Sequence, residues 1–211
     1  MTQSINKIPT SSASVGPNRF KLLLIAGLFF LPAILASILY FAGWRPSSQV
    51  NHGELVQPAR PINDVALKTV DGSLLAFKAL RGKWLMVYFG TSACQSACVH
   101  NLYKMRQVQI AEGKDADRIT RVFVVTDGAT PPTLLATLKD YAGMRVLTGP
   151  PAAIEALAQQ FVLPAGSPLA GLNRIYIVDP VGNLMMSYPV DADPSGMRKD
   201  LVRLLQVSQI G

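Results

Sequence analysis

The chain has 211 residues, of which 49% are hydrophobic, and a formal net charge of +7. Its 20 lysines and arginines are scattered, without a basic block, interleaved aromatics or zinc-type spacing, which argues against nucleic-acid binding. With only two histidines and two cysteines, the chain offers no Ser/His/Asp triad and a single candidate thiol pair.

The first long apolar segment covers residues 22–44 and contains no Asp, Glu, Lys or Arg. Because about 20 apolar residues suffice to cross the hydrocarbon core, this segment is predicted to be a transmembrane helix. Tyr40, Phe41 and Trp44 near its end suit the aromatic belt of a membrane interface. The alternative is a cleaved signal peptide, whose apolar region would be shorter and would end at a small-residue cleavage site.

The segments on either side of the span predict its orientation. Residues 1–21 are predicted to be a cytoplasmic tail, and residues 45–62 a tether that contains proline and serine. Arg19 and Lys21 lie directly before the span, so the positive-inside rule leaves the N-terminus in the cytoplasm. Residues 63–211 then lie in the periplasm, and the chain is a single-pass protein of the bacterial inner membrane.

Residues 63–211 alternate strand and helix patterns and are predicted to form one domain. The predicted elements are a hairpin at 65–77, a strand at 84–89, a helix at 94–112, a strand at 121–126, a helix at 131–141, a strand at 144–147, a helix at 151–161, a hairpin at 175–188 and a helix at 195–207. Strands separated by helices predict an α/β protein with a thioredoxin-like fold, in which helices flank a central mixed sheet.

Both cysteines, Cys94 and Cys98, follow the predicted strand 84–89 at the start of the predicted helix. A helix N-terminus carries partial positive charge and unpaired N–H groups, which favour a thiolate over a thiol. Thiolates attack disulfides and bind soft metal ions such as Cu(I). The two cysteines are therefore the predicted catalytic residues and the candidate ligands of Cu(I).

The order of short motifs along residues 63–208 resembles that of the Sco/SenC family, membrane-tethered thioredoxin-like proteins that help to assemble the copper centre of cytochrome c oxidase. The motifs that carry the resemblance are Gly82-Lys83-Trp84, Phe89-Gly90, the spacing of Cys94 and Cys98, Val124 to Asp127 followed by Pro131-Pro132, Leu147-Thr148-Gly149, and Ile175 to Gly182. The resemblance implies copper as cargo, and as partner either subunit II of the oxidase or another assembly factor.

The chain departs from the family pattern at two positions. Family members usually have proline after the second cysteine, where this chain has Val99. They also have a histidine, the third copper ligand, before the closing hairpin, where this chain has Gly171. No histidine follows His100, so the copper site that the family implies is incomplete. The chain is most similar to a divergent branch of the family.

Several roles remain open for the cysteine pair: thiol–disulfide exchange, transient Cu(I) handling, a structural disulfide, or no role in a scaffold. A disulfide requires either that Cys94 lies in the loop or that the first turn of the helix is irregular, because residues four apart on a regular helix are too far apart at Cβ. Asp127, at the end of the next strand, is expected either near the cysteines or as a helix cap. His100 is expected on the solvent side of its helix, and His52 in the tether.

The hypothesis that follows is a membrane-anchored, Sco-like factor in the assembly of cytochrome c oxidase. It would act by thiol–disulfide exchange or transient Cu(I) handling at Cys94 and Cys98. One alternative is a non-catalytic assembly protein that uses the same fold for docking. Another is a general extracytoplasmic thiol–disulfide reductase, although such enzymes usually have two residues between the cysteines rather than three.

Overall fold

The computed structural model describes residues 16–42 and 51–208. The chain divides into two compact units, with the division between Gln49 and Val50. Among its described residues, the first unit contains one helix, α1 (Gly16–Phe41). Its segment Arg19–Phe41 has a mean hydropathy of 2.7, and no residue of its most apolar window is buried, so by length and composition it is a candidate membrane span. A signal sequence near the N-terminus has the same properties.

The helix α1 begins at Gly16, before the predicted start of the span at residue 22. The predicted end at Trp44 lies outside the described residues, as do residues 1–15 of the predicted tail. Proline is tolerated inside a membrane helix, and α1 continues through Pro32.

The second unit contains eight strands and four helices among the described residues. They are β1 (Glu54–Pro61), β2 (Ala66–Thr69), β3 (Leu74–Ala76), β4 (Trp84–Gly90), α2 (Ser96–Ala111), β5 (Ile119–Val125), α3 (Pro132–Leu138), β6 (Arg145–Thr148), α4 (Pro151–Ala158), β7 (Ile175–Val178), β8 (Asn183–Tyr188) and α5 (Pro194–Val207). The strands form one mixed sheet in the order β1-β8-β7-β4-β5-β6-β2-β3, with β4, β5 and β6 parallel. The predicted α/β, thioredoxin-like fold is confirmed, and so are its predicted elements, within a few residues at their ends.

The central strands are covered on both faces, which accounts for their continuous apolar runs. In β4, alternate side chains pack into two separate hydrophobic clusters, for example Met86 on one face and Val87 on the other. We call the face that packs against α2 and α5 the helix α2 face, and the face that packs against α4 the helix α4 face. All of β4 from Trp84 to Phe89 is buried, which anchors the loop that follows it.

One prediction is wrong: residues 54–61 do not belong to a tether. They form β1, which pairs antiparallel with β8 at the edge of the sheet, with a register shift between Leu55 and Arg60. The strand includes Pro58 and Pro61, which an edge strand tolerates because one side of it lacks a neighbour that needs its N–H.

The placement of His52 in a flexible tether is also wrong. Its backbone N–H donates to Asp200 Oδ2 of α5 at 2.7 Å, and its Nδ1 lies 3.2 Å from Asp200 Oδ1. The ring packs so closely on α5 that a Cβ added at Gly196 would lie 2.8 Å from it. His52 therefore fixes the beginning of the domain to the C-terminal helix.

Candidate functional site

The two cysteines form a disulfide bond beyond the carboxyl end of β4. Cys98 lies in the first turn of α2, whereas Cys94 lies in the preceding loop, as a bond between them requires. Their Cα atoms are 5.0 Å apart, within the usual range for disulfides. Both are largely buried, with 9% of Cys94 and 5% of Cys98 exposed.

Cys94 has an unusual backbone conformation, with a φ of +33°. An L-residue in this region is strained by about 1 kcal/mol, because its Cβ approaches the following carbonyl oxygen. The turn is supported by a hydrogen bond from the Cys94 N–H to Thr91 O at 3.1 Å. This conformation takes Cys94 out of the helical path and brings it to Cys98.

The start of α2 provides the electrostatic environment that the sequence predicted. The residue before the helix, Gln95, makes no side-chain cap, so the first N–H groups of α2 have no side-chain partner there. The partial positive charge of these groups lies next to Cys98 and would stabilise its thiolate after reduction. The structure therefore places the predicted reactive pair where ionisation of the second cysteine is favoured.

Asp127 holds the cysteine loop in place and does not cap the next helix. Its Oδ2 accepts hydrogen bonds from the Ser92 N–H at 3.0 Å and the Ser92 hydroxyl at 2.7 Å. Partial burial alone would raise the pKa of Asp127, but the hydrogen bonds from Ser92 and from the Ala129 N–H together outweigh this and lower it. Asp127 is therefore a carboxylate that ties the end of β5 to the loop before Cys94. Helix α3 instead begins after Pro131.

A pocket of about 210 Å³ lies beside the disulfide. Cys98 borders it, together with the ends of β4 and β5 and the segment before β7. The apolar rim includes Leu169, which is 43% exposed. Val99, which directly follows Cys98 in the sequence, is 37% exposed. The pocket is smaller than those that enclose drug-sized ligands, and it suits a side chain from a partner protein.

Two polar residues that the sequence did not single out, Tyr88 and Asn173, line this pocket, and Asn101 is hydrogen bonded to Asn173. The buried Tyr88 hydroxyl donates to Asn173 Oδ1 at 2.7 Å, and Asn101 Nδ2 donates to Asn173 O at the same distance. Burial raises the pKa of Tyr88 to about 12, so its hydroxyl remains a donor. Asn101 lies one turn after Cys98 on the apolar face of α2. A polar residue on an otherwise apolar helix face is the sequence signal that could have identified it.

Within residues 51–208, the structure brings no third His, Cys, Asp or Glu ligand to the cysteines. Gly171 lines the pocket that Cys98 borders, but it has no side chain to offer. His100 is exposed on α2, as expected, and His52 is hydrogen bonded to Asp200. Among the described residues there is no group of three or more His, Cys, Asp or Glu that could hold a metal ion. Met86 and Met105 are fully buried in the core.

Comparisons with known proteins agree with this architecture. A family model described as "Transmembrane-like, thioredoxin-like, C-terminal domain" matches residues 84–208. No curated protein matches the sequence.

Solved structures of Sco proteins have a similar fold. The copper-bound ScoI of Bradyrhizobium japonicum is 24% identical, with a TM-score of 0.56 over 69% of this chain and 99% of its own. Copper-bound yeast Sco1 is 19% identical, with a TM-score of 0.62 over 72% of this chain and 96% of its own.

A third similar structure is that of BsSco, a member of the Sco family of cytochrome c oxidase assembly proteins in which a disulfide switch was identified. It is 15% identical, with a TM-score of 0.57 over 74% of this chain and 99% of its own. The resemblance to Sco/SenC proteins that the sequence motifs indicated is thereby confirmed for the fold.

Proposed function

This chain belongs to the transmembrane-like, thioredoxin-like C-terminal domain family, and from that premise we propose that it is a membrane-anchored thiol–disulfide exchange factor in cytochrome c oxidase assembly. The observation that carries the proposal is the Cys94–Cys98 bond at the start of α2, beside a pocket that Cys98 borders. A disulfide that closes so short a loop contributes only about 2 kcal/mol to stability. The domain can therefore stay folded when the bond is reduced, as reversible thiol–disulfide exchange requires.

In the proposed reaction the reduced protein transfers two electrons to a partner disulfide. The Cys98 thiolate attacks one partner sulfur, which forms a mixed disulfide and releases the other partner sulfur as a thiolate. The Cys94 thiolate then attacks Cys98 Sγ, which restores the intramolecular disulfide and releases the reduced partner. A dithiol donor on the same side of the membrane must reduce the protein again. Cys98 is assigned as the attacking residue because it borders the pocket.

The oxidase is proposed as the target because of the Sco fold and the motifs that resemble the Sco/SenC family. BsSco, which has a similar fold, is described as belonging to a family of cytochrome c oxidase assembly proteins. For such a factor the natural substrate is the cysteine pair of the copper centre on subunit II, which must be reduced before it binds copper. Another assembly factor with a disulfide is the second candidate partner.

The proposed location is the bacterial inner membrane, with the thioredoxin-like unit in the periplasm. Arg19 at the start of the apolar segment and Lys21 close to it favour a cytoplasmic N-terminus. A membrane-impermeant maleimide applied to intact spheroplasts after mild reduction should label Cys94 and Cys98. Labelling that appears only after the cells are lysed would place the thiols in the cytoplasm and contradict the proposal.

The central experiment traps the mixed disulfide. In cells that express Cys94→Ser, the Cys98 thiolate should remain bonded to its partner, and the complex should be recovered with subunit II or an assembly factor. Cys98→Ser should trap far less, and Ser96→Ala, at the same helix end, should behave like the wild type.

Loss of function separates the proposal from its alternatives. The double variant Cys94→Ser, Cys98→Ser should fail to restore oxidase activity in a strain that lacks the protein. Full restoration would instead support a non-catalytic docking role. Rapid reduction of insulin by the purified full chain would indicate a general reductase rather than a dedicated factor.

Copper transfer is the second candidate function, because two Sco proteins with a similar fold have copper bound. The described residues do not fit a three-ligand site, since only two soft donors become available on reduction and Gly171 supplies none. A Cβ added at Gly171 meets no atom within 4 Å, although its φ of +74° strains any other residue. Gly171→His should therefore raise the Cu(I) affinity of the reduced chain at least tenfold. Equally tight binding by the wild type would show that it carries copper without this residue.

A further inference from the structure

A second cavity, which the proposed thiol chemistry does not use, lies between α2 and the segment that follows α3. Its volume is about 770 Å³, and it opens to solvent. Tyr103 and Arg106 of α2 line one side, Lys139 and Asp140 line another, and Arg121 of β5 borders it. This cavity does not include either cysteine.

The charges around the cavity are unbalanced. Arg106, Arg121 and Lys139 are three cations, whereas Asp140 is the one carboxylate in the lining, so two positive charges remain. Within residues 51–208, no carboxylate forms an ion pair with any of these three cations. An excess of two positive charges in a concave site attracts a dianion more strongly than a flat surface would.

Arg121 is the residue that makes the cavity more than a basic patch. It is only 5% exposed, because it lies on the helix α2 face between Ile119 and Phe123. Its Nη2 donates to Ala142 O at 2.6 Å, but its buried Nε and Nη1 have no hydrogen-bond partner in the part of the chain that the structure describes. A buried guanidinium without its hydrogen bonds is costly, unless another group supplies the missing acceptors.

The surroundings of Arg121 make an unpaired charge still less favourable. Burial, and then the neighbouring Arg106, lower the pKa of Arg121, which means that both disfavour its charged form. An anion in the cavity would offset this repulsion, and its oxygens would accept hydrogen bonds from Arg121 after a small rotation of that side chain towards the cavity. Tyr103, which is 53% exposed, offers a further hydroxyl donor on the same wall.

We propose that this cavity binds a phosphate-type oxyanion between Arg106 and Arg121, with Lys139 as a third cation. Inorganic phosphate carries about one to two negative charges near neutral pH and a phosphodiester headgroup carries one, so either offsets part of the positive excess in the lining. The phosphate oxygens can accept hydrogen bonds from guanidinium groups on two sides. The phosphate belongs either to a free solute or to the headgroup of an anionic lipid.

The test uses the purified full chain in neutral-detergent micelles at low ionic strength. Inorganic phosphate is titrated by calorimetry into the wild type and into Arg106→Gln and Arg121→Gln. Each substitution should weaken phosphate binding by about tenfold to a hundredfold, because a charge-assisted hydrogen bond is lost. Lys83→Gln removes an exposed cation outside the cavity and serves as the matched control, with unchanged affinity.

A second arm identifies the source of the phosphate. The thermal midpoint of the domain is followed by near-ultraviolet circular dichroism in micelles that contain phosphatidylglycerol or phosphatidylcholine. A rise with phosphatidylglycerol that both arginine substitutions abolish, without binding of inorganic phosphate, assigns the site to a lipid headgroup. Binding of inorganic phosphate that depends on the arginines assigns it to a free solute.

The proposal is overturned if neither probe binds, or if the arginine variants and Lys83→Gln bind both probes as the wild type does. Arg106→Gln keeps the test valid even if Arg121→Gln fails to fold, because Arg106 is only half-buried. The site contains neither cysteine, so thiol–disulfide exchange by the phosphate-free protein should be the same in Arg106→Gln and the wild type.

Discussion

The two faces of the sheet are built differently, and the difference separates stability from chemistry. The helix α4 face is packed mainly by apolar and aromatic side chains, and its buried cation, Arg174, forms an ion pair with Glu54. The helix α2 face holds the disulfide, and within residues 51–208 its buried Lys104 and Arg121 hydrogen bond only to backbone carbonyl oxygens. Burying these charges with few partners lowers the stability of the fold, so we infer that apolar packing on the helix α4 face contributes most of the net free energy of folding.

The helix α4 face is organised around Phe161, which is fully buried. Its ring packs against Phe77, Phe89 and Tyr176, with centroid distances of 6.3, 5.0 and 5.3 Å. Such edge-to-face contacts add to the free energy gained by burial.

The largest effect is expected on this face. Phe161→Ala should lower the free energy of unfolding by about 3–5 kcal/mol, because it removes a buried ring and leaves a cavity. Chemical denaturation of the oxidised full chain in micelles measures this, and Phe161→Leu should cost much less. A loss below about 1 kcal/mol would show that this face does not dominate stability.

The second prediction concerns the disulfide itself. Reduction should lower the free energy of unfolding by about 2 kcal/mol, the chain-entropy value for so short a loop. Hydrogen exchange should quicken in the cysteine loop and the first turn of α2, while β6 and α4 remain protected. Uniform loss of protection across both faces would mean that the disulfide is a structural element of the whole domain.

The third prediction tests the link between β5 and the cysteine loop. Asp127→Asn should cost about 1 kcal/mol or less, because Asp127 is exposed and solvent screens its charge. The pKa of Asp127 is lowered in the folded state, so the carboxylate contributes stability above pH 3.8, and this is lost as the pH falls through its folded pKa. The stability difference between wild type and variant should therefore shrink below pH 3.8. If the difference in free energy of unfolding between wild type and Asp127→Asn does not change with pH, the Asp127 carboxylate does not stabilise the cysteine loop.

The sequence predicted the parts of the fold that depend on local patterns. A continuous apolar run predicted β4, the turn residues after Val178 predicted the hairpin of β7 and β8, and the position of Cys94 and Cys98 after β4 indicated the candidate site. The strand β1 was missed because six of its eight residues are exposed, so no apolar alternation marks it. Its pairing with β8 depends on a contact that is distant in sequence.

The partners of the buried polar groups were not predictable for a related reason. Asn101 and Asn173 are hydrogen bonded although they lie 72 positions apart in the sequence. Asn173 adopts a φ of +49°, which the neighbouring sequence does not predict. Arg121 was taken for the start of a strand that in fact begins at Ile119, because a charge usually marks a boundary of an apolar run. Local patterns therefore predicted the helix α4 face better than the polar interior of the helix α2 face.

The smallest effect is expected from Lys104, a buried cation of the helix α2 face. It is 1% exposed, and its Nζ donates to Val190 O at 2.7 Å. Burial lowers its pKa, although Asp191 and Asp193 partly oppose this. Lys104→Met should change the free energy of unfolding by no more than about 1 kcal/mol, because relief of the desolvation penalty offsets the lost hydrogen bond.

The pH dependence gives this last prediction its sign. Since the folded pKa of Lys104 lies below the unfolded value of 10.5, folding disfavours its protonated form. The penalty is fully present below the folded pKa and disappears as the pH rises towards 10.5. The wild type should therefore gain stability relative to Lys104→Met over that range, measured by denaturation of the oxidised proteins. If the wild type instead loses stability relative to the variant, the charge of Lys104 stabilises the fold, and the two faces of the sheet are more alike than their burial patterns indicate.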